Sequence, residues 1–272
     1  TNCQEIQKDY LKCSLNFEKN NQKIFLLGDS HIVSLRTDLK NRLIKKDYEV
    51  NIITDNLCMF FKNFYLIDRK TKKKNKCKFY NLIDQVFEEN NSIFVIGGRF
   101  QMHMHESYFD NTEGGIEDGD FNAEYVSDGT FNSLKESFSG TLKKLQKRNS
   151  NNNIILIYPI PEIGWNVRQK LINSSPKKFS LSKDYYIPKE WITTSYDVYK
   201  KRSQSSFEVL DAIKGDNVYR IYPHKLFCNT KIKNRCITHD DKNIFYSDDN
   251  HPSLIGAQMI NDLILDEIQK IK

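Results

Sequence analysis

Long apolar runs are missing from this 272-residue chain. No stretch approaches the roughly 20 uninterrupted apolar residues that span a bilayer, and the strongest run, residues 154–160, is short and strand-like. The sequence therefore predicts no membrane-spanning helix. Thr1 carries no initiator methionine, basic n-region or apolar h-region, so the numbering is expected to begin inside a processed or excised chain. Glycine (11) and proline (6) are few, and 41 Lys+Arg against 35 Asp+Glu leave a net charge of only +6. Together with 14 Tyr, 17 Phe and 39% hydrophobic residues, this excludes the disordered class. A chain of this length buries roughly three quarters of the surface it exposes when unfolded, enough for one domain or at most two.

A CxxC motif is also missing. The 6 cysteines fall instead as sequence-local pairs, Cys3 with Cys13, Cys58 with Cys77 and Cys228 with Cys236, too widely spaced for a zinc site. An even count with local partners suits disulfides in an oxidising compartment, with buried thiols as the other reading. About fifteen pairings are open to six cysteines, and the sequence does not choose among them. Nor is there a nucleic-acid module: Lys70, Lys72, Lys73, Lys74, Lys76 and Lys78 lack interleaved aromatics and read as a solvated loop. No nucleic-acid partner is expected.

What is present is an alternation of β-branched or aromatic runs with helical periods, the pattern of βαβ units. Residues 23–28, 48–54, 92–96, 154–158 and 218–222 read as strands. Residues 31–45 read as a helix with Ile32, Leu35, Leu39 and Leu43 on one stripe, and residues 133–147 as another that exits through 149–153. The final helix is expected to start with Pro252 in its first turn and to carry Leu254, Ile255, Met259, Ile260, Leu263, Ile264, Ile268 and Ile271 on its apolar face. The predicted fold is a three-layer α/β/α sandwich on a five-stranded, mostly parallel sheet. Residues 1–22 read as an N-terminal extension packed on a single domain at 23–272, elaborated by long loops at 97–129 and 162–191.

Open parallel sheets bind ligands beyond the carboxyl ends of their strands. The first strand leaves through Gly28, Asp29, Ser30 and His31, which places a serine at a helix N-terminus where free N–H groups can stabilise an oxyanion. Asp248 and His251 precede the last helix at a spacing that lets the carboxylate receive the Nδ1 proton while Nε2 faces a serine. Singly, such residues are commonly caps or surface groups. Occurring together, they favour catalysis. His103 and His105 lack a third ligand nearby and are expected to line the cleft, so no metal and no cofactor is expected. Gly114 and Gly115 after Glu113 permit close approach of a ligand, and Trp165 and Trp191 are candidates for stacking on sugars or for core filling.

Gly28-Asp29-Ser30 after the first strand, with Asp248 and His251 before the C-terminal helix, resembles the SGNH (GDSL-type) hydrolase superfamily across nearly the whole chain. The narrower similarity is to SGNH domains fused to the C-terminus of membrane acyltransferase-3 proteins, which O-acetylate surface polysaccharides. It is carried by Gly-Asp-Ser-His in the first block, Arg99 and Phe100 after the third strand, Tyr158-Pro159-Ile160-Pro161-Glu162, the terminal run YSDDNHPSLIGA from Tyr246, and the paired cysteines. The resemblance implies a flavodoxin-like SGNH fold with Ser30 as nucleophile, His251 as base and then acid, and Asp248 as its orienting partner. The pattern departs from the wider superfamily in two places: no glycine occurs between Gly28 and Gly97, and the third block reads Gly97-Gly98-Arg99 where Gly-x-Asn is usual. Asp29, Cys58, Gly98 and Arg99 are therefore the residues expected around the oxyanion and substrate, with backbone N–H groups of Ser30 and of residues 56–58 as donors. A salt bridge from Arg99 to an acidic loop residue such as Glu106, Asp110 or Glu113 is the competing expectation for that side chain.

The function implied is acyl transfer to a polysaccharide hydroxyl by an extracytoplasmic, periplasmic domain tethered to the inner membrane, with an upstream transmembrane acyltransferase domain and a glycan as partners. The alternatives are a secreted carbohydrate acetylesterase and a catalytically silent glycan-binding module.

Overall fold

A computed structural model of the chain describes residues 2–7, 10–17, 21–75, 77, 80–148, 151–174 and 190–271. Its centre is a seven-stranded sheet. The strands are β1 (Asn2–Gln7), β2 (Tyr10–Ser14), β3 (Lys23–Gly28), β4 (Glu49–Thr54), β7 (Ser92–Gly97), β9 (Asn153–Ile157) and β11 (Val218–Ile221), in the order β1-β2-β4-β3-β7-β9-β11. The five strands expected from sequence are all present and mutually parallel. The sheet is wider than expected because the N-terminal extension joins it: β1 and β2 form a hairpin, and β2 pairs antiparallel with β4. A disulfide between Cys3 and Cys13, directly opposite each other, closes that hairpin.

Side-chain alternation in the central strands explains the three layers. Phe25 and Leu27 of β3 enter one core, which also takes Leu82, Ile83, Val86 and Phe87 of α2 (Tyr80–Phe87), Phe138, Leu142 and Leu145 of α4 (Leu134–Arg148), and Val209 and Leu210 of α6 (Tyr196–Asp211). Ile24 and Leu26 enter the other core, against α1 (Ser30–Ile44), α5 (Val167–Ser174) and α8 (Leu254–Lys270). The predicted stripe of Ile32, Leu35, Leu39 and Leu43 is buried as expected. Each such side chain removed from water contributes about 1.5–3 kcal/mol.

The last helix starts one step later than expected. Ser253, not Pro252, is the boundary residue, and its hydroxyl accepts the Gly256 N–H. Leu254 and Ile255 consequently lie on the exposed side, while Ala257, Ile260, Ile264, Leu265 and Ile268 are buried.

The region 97–129 is more than a loop. It contains α3 (Phe100–His105) and β8 (Ala123–Ser127). β8 pairs antiparallel with β5 (Phe64–Asp68), which in turn pairs with β6 (Lys74–Asn75), making a second, three-stranded sheet. In the lysine-rich stretch there, Lys70 faces Asp120 at 3.5 Å and Lys74 lies 3.2 Å from the Tyr65 ring centroid. Lys76 and Lys78 lie outside the described residues, as do residues 149 and 150 of the exit at 149–153 and, from the 162–191 region, residues 175–189 with Pro176 and Pro188. Beyond them, β10 (Thr193–Ser195) pairs with β12 (Arg235–Ile237), next to α7 (His224–Phe227) and the Cys228–Cys236 disulfide.

The order of the parallel strands fixes where a site belongs. From β3 the chain moves to β4 on one side, then crosses to β7 on the other, so the switch point lies at the carboxyl end of β3. Gly28 ends that strand opposite Gly97, and a Cβ on it would lie 1.9 Å from the Gly97 carbonyl oxygen. Only glycine fits there, and the chain turns directly into α1.

Candidate active site

Ser30 is the first residue of α1, with Asp29 as the boundary residue whose carboxylate accepts the His31 N–H. The Ser30 hydroxyl lies 2.9 Å from His251 Nε2. On the other side of the ring, His251 Nδ1 lies 2.8 Å from Asp248 Oδ2. Asp248 Oδ1 accepts the backbone N–H groups of Asn250 (3.0 Å) and His251 (2.7 Å), which folds the loop so that the carboxylate and the imidazole of the same short segment meet. The loop is anchored from outside by Ile163 and Gly164, whose N–H groups donate to the Asp249 carbonyl at 2.7 and 3.3 Å. Ser30, His251 and Asp248 are thus brought together in the order expected from the sequence.

The electrostatics suit proton transfer. Partial burial works against the Asp248 carboxylate, but its hydrogen bond and charge contact with His251 and the two backbone donors outweigh that and hold it down at about 2. Burial likewise opposes an imidazolium at His251, yet the Asp248 hydrogen bond and charge prevail and move its pKa upward. The carboxylate therefore stays ionised and receives the proton on Nδ1, leaving Nε2 to accept from the serine. Such a relay can deprotonate a hydroxyl for attack on an acyl carbonyl and return the proton to a leaving group.

A second histidine supports the first. His31 is buried, stands edge-on to His251 with ring centroids 5.3 Å apart, and has Nε2 3.2 Å from Asn250 Oδ1. Burial lowers it to about 4, so it stays neutral, and because the Asn250 carbonyl oxygen only accepts, Nε2 carries the proton. Asn250 in turn donates to Asp249 Oδ1 at 2.9 Å.

The residues expected around the oxyanion take other roles. Asp29 is 1% exposed and turned inward: Oδ1 accepts from His31 N at 2.9 Å, and Oδ2 from Arg99 N at 2.7 Å with His103 Nε2 at 3.1 Å. It braces the turn and does not face substrate. Arg99 is no free cation. It pairs with an acidic residue of its own loop, as one expectation had it, but with Glu117 and not with Glu106, Asp110 or Glu113. It also pairs with Glu162 at 2.6 Å, drawn in from beyond β9, while Arg202 holds the other Glu162 oxygen at 3.0 Å. A guanidinium 5% exposed needs such carboxylates, and they keep it charged. Gly98 sits against the Asp29 carboxylate, where a Cβ would come within 3.0 Å of Oδ2. Cys58 is bonded to Cys77. Its N–H points to the Asp55 carbonyl at 3.4 Å and the Leu57 N–H to Asp55 Oδ1 at 3.3 Å, so neither lies open. The Ser30 N–H has no hydrogen-bond partner among the described residues.

His103 and His105 do not act as a pair. They lie on α3, where residues two apart diverge: His103 is buried toward Asp29 and Tyr125, whereas His105 Nε2 meets the Arg202 carbonyl at 2.9 Å. Among the described residues no group of three His, Cys, Asp or Glu is placed to hold a metal ion. The glycines after Glu113 serve packing. A Cβ on Gly115 would lie 2.2 Å from Asn111 Nδ2 and 2.8 Å from Trp165, and Trp165 donates to the Thr193 carbonyl at 3.2 Å. Trp191 stacks on His239 at 5.1 Å. Sequence reasoning missed Tyr125, Glu117 and the supporting role of Asn250. No local motif marks the first two, and only their contacts reveal them.

Known proteins share the fold. The periplasmic domain of a Salmonella ser. Paratyphi A lipopolysaccharide acetyltransferase superposes with a TM-score of 0.54 at 17% identity, covering 94% of this chain and 90% of that one. The salicylyl-acyltransferase SsfX3 from a tetracycline biosynthetic pathway (TM-score 0.43, 10% identity, 93% and 55% covered) and a carbohydrate esterase (0.42, 11%, 92% and 69%) also match. A search of curated protein sequences gives no match. The family model for the SGNH domain fused to AT3 domains matches residues 2–266, and the chain belongs to that family.

Proposed function

We propose that this domain carries an acyl group, acetyl in the simplest case, on Ser30 and passes it to a hydroxyl of a surface polysaccharide, in partnership with a transmembrane acyltransferase domain. The observation that carries the reading is the continuous relay from Ser30 Oγ through the His251 ring to Asp248, with both contacts under 3 Å at the carboxyl edge of the sheet. His251 takes the serine proton as Oγ attacks the acyl carbonyl. The proton then goes to the departing group, leaving an acyl-serine; His251 next deprotonates the acceptor hydroxyl, whose oxygen bonds to the acyl carbon as the Ser30 ester bond breaks and the proton returns to Oγ. In this reading the Ser30 N–H, at the positive end of α1, receives the oxyanion. Three disulfides, Cys3–Cys13, Cys58–Cys77 and Cys228–Cys236, support an oxidising, extracytoplasmic setting, and fusion of this family to AT3 domains supports the membrane partner.

The test is to supply an activated acetyl ester and follow the intact mass of the protein, with and without an oligosaccharide acceptor. The expected result is an added acetyl on Ser30 that is discharged faster by acceptor than by water. No adduct, or an adduct that persists in Ser30→Ala, would overturn the proposal.

A further inference from the structure

The Asp29 carboxylate, which caps the helix bearing Ser30, is the start of a buried chain of polar contacts that the proposed chemistry does not use. His103 is fully buried, with Nε2 3.1 Å from Asp29 Oδ2 and Nδ1 in short contact with the Tyr125 hydroxyl. That hydroxyl lies 3.4 Å from the Leu57 carbonyl oxygen. Leu57 belongs to the turn after β4, and this turn abuts the serine turn directly, because Asp55 N donates to the Gly28 carbonyl at 3.1 Å. Four separate segments therefore meet through two side chains: the β3–α1 turn, the β4 turn, α3 and β8.

We propose that His103 and Tyr125 are positioning residues that fix the turn at residues 55–58 against the Asp29–Ser30 turn, and so set the backbone around the Ser30 hydroxyl where an oxyanion develops. The inference rests on the reading of Ser30 as the acyl carrier. The sequence lacks both the usual second-block glycine and the third-block asparagine, so it needs some other means of holding that part of the backbone.

The Tyr125 hydroxyl stands between the His103 ring and the Leu57 carbonyl, to which it can donate at 3.4 Å, and His103 in turn bridges that hydroxyl to the Asp29 carboxylate. The peptide of Leu57 and Cys58 is planar, so holding its carbonyl holds the plane of the whole turn, in which the Cys58 N–H points to the Asp55 carbonyl. The small second sheet acquires a purpose from this: Tyr125 stands on β8 opposite Leu66, with Phe61 edge-on at 5.7 Å, and is held to one approach toward His103.

The experiment measures the rate at which a fluorophosphonate labels Ser30, read by intact mass: Oγ bonds to phosphorus, fluoride leaves, and the phosphoryl oxygen of the adduct stands where an oxyanion would, without any knowledge of the natural substrate. Tyr125→Phe keeps the ring and removes only the hydroxyl. We expect it to melt within a few degrees of the parent, to label about tenfold more slowly, and to keep the same pH midpoint, since the His251–Asp248 contact is untouched. His103→Asn should slow labelling to a similar extent, and the double variant should be no slower than the slower single one, because both act through one relay. Unchanged labelling in Tyr125→Phe, or losses that multiply in the double variant, overturns this inference alone. Equal labelling of Ser30→Ala overturns the reading of Ser30 and this inference with it.

Discussion

The Ser30 hydroxyl and His251 Nε2 are 2.9 Å apart although 221 positions separate them in the chain. The contact exists because α1 and α8 pack side by side on one face of the sheet, so each end of the chain delivers one half of the proton relay. Asn261 of α8 reinforces the pairing by donating to the Leu35 carbonyl and to Asp38, at 3.1 and 2.9 Å.

Replacing Asp248 by Asn tests the orienting half. The amide can present a donor to Nδ1, which favours the wrong tautomer, and turnover should fall by about 10^4 with the fold intact. Steady-state hydrolysis of an activated acetyl ester checks this.

The same carboxylate sets the pH profile. Only neutral His251 can accept the serine proton, and Asp248 favours its charged form, so activity should be lost as pH falls through a midpoint above the ordinary histidine value. Removing the carboxylate charge should move that midpoint downward. Labelling rates across pH for the parent and Asp248→Asn measure the shift; a midpoint that moves upward contradicts the assignment.

Stability should respond to acid through His31. Burial, aided by the charge of His251, lowers His31 to about 4 from an ordinary 6.5, against the opposing pull of Asp29. The native state keeps the ring neutral while the unfolded chain takes up a proton, so stability contributed above 6.5 should be lost as pH drops toward 4, by up to about 3 kcal/mol. His224, also lowered to about 4 by burial, adds to the same trend. Denaturant unfolding between pH 7 and pH 4, in roughly half-unit steps, should show the loss, and His31→Gln should flatten it.

Arg99→Met should be severely destabilising. Glu162, at 1% exposure, and Glu117 would lose their common counter-charge, leaving only Arg202 on Glu162. Breaking a buried pair from one side costs about 3–5 kcal/mol. The lowered denaturant midpoint reads it directly, and a variant as stable as the parent would refute the pairing.

The Cys58–Cys77 bridge closes a segment of 19 residues next to the 55–58 turn. Replacing both cysteines by alanine should cost about 3 kcal/mol. It should also slow Ser30 labelling under conditions where the protein remains folded, which a bridge remote from the site would not do.

Much of this was legible in the sequence, and the misses share a cause. Strand positions follow from local hydrophobic runs, so the five parallel strands were placed to within a residue or so. Ser30, Asp248 and His251 stand in compact motifs at element ends, where spacing in sequence becomes spacing in the fold. The sheet's extra width was hidden because residues 2–14 alternate polar and apolar residues weakly, and their pairing with β4 is decided across the molecule. The second sheet was hidden for a similar reason: β5 and β8 are short and lie far apart in sequence. Arg99 was expected to pair with an acidic residue of its own loop and does so with Glu117, but Glu162, which arrives from beyond β9, was not foreseen. His103 looked like half of an extended pair until a helical turn separated it from His105. In each instance the deciding partner is remote, and no local propensity encodes it.

The hydrogen-bonded union of α1 and α8 also makes the site a gauge of their docking. Within this domain the serine precedes its imidazole by 221 positions, so a product cut short between α1 and residue 251 carries a hydroxyl with no proton acceptor. Reactivity at Ser30 therefore reports that α8 has docked against α1.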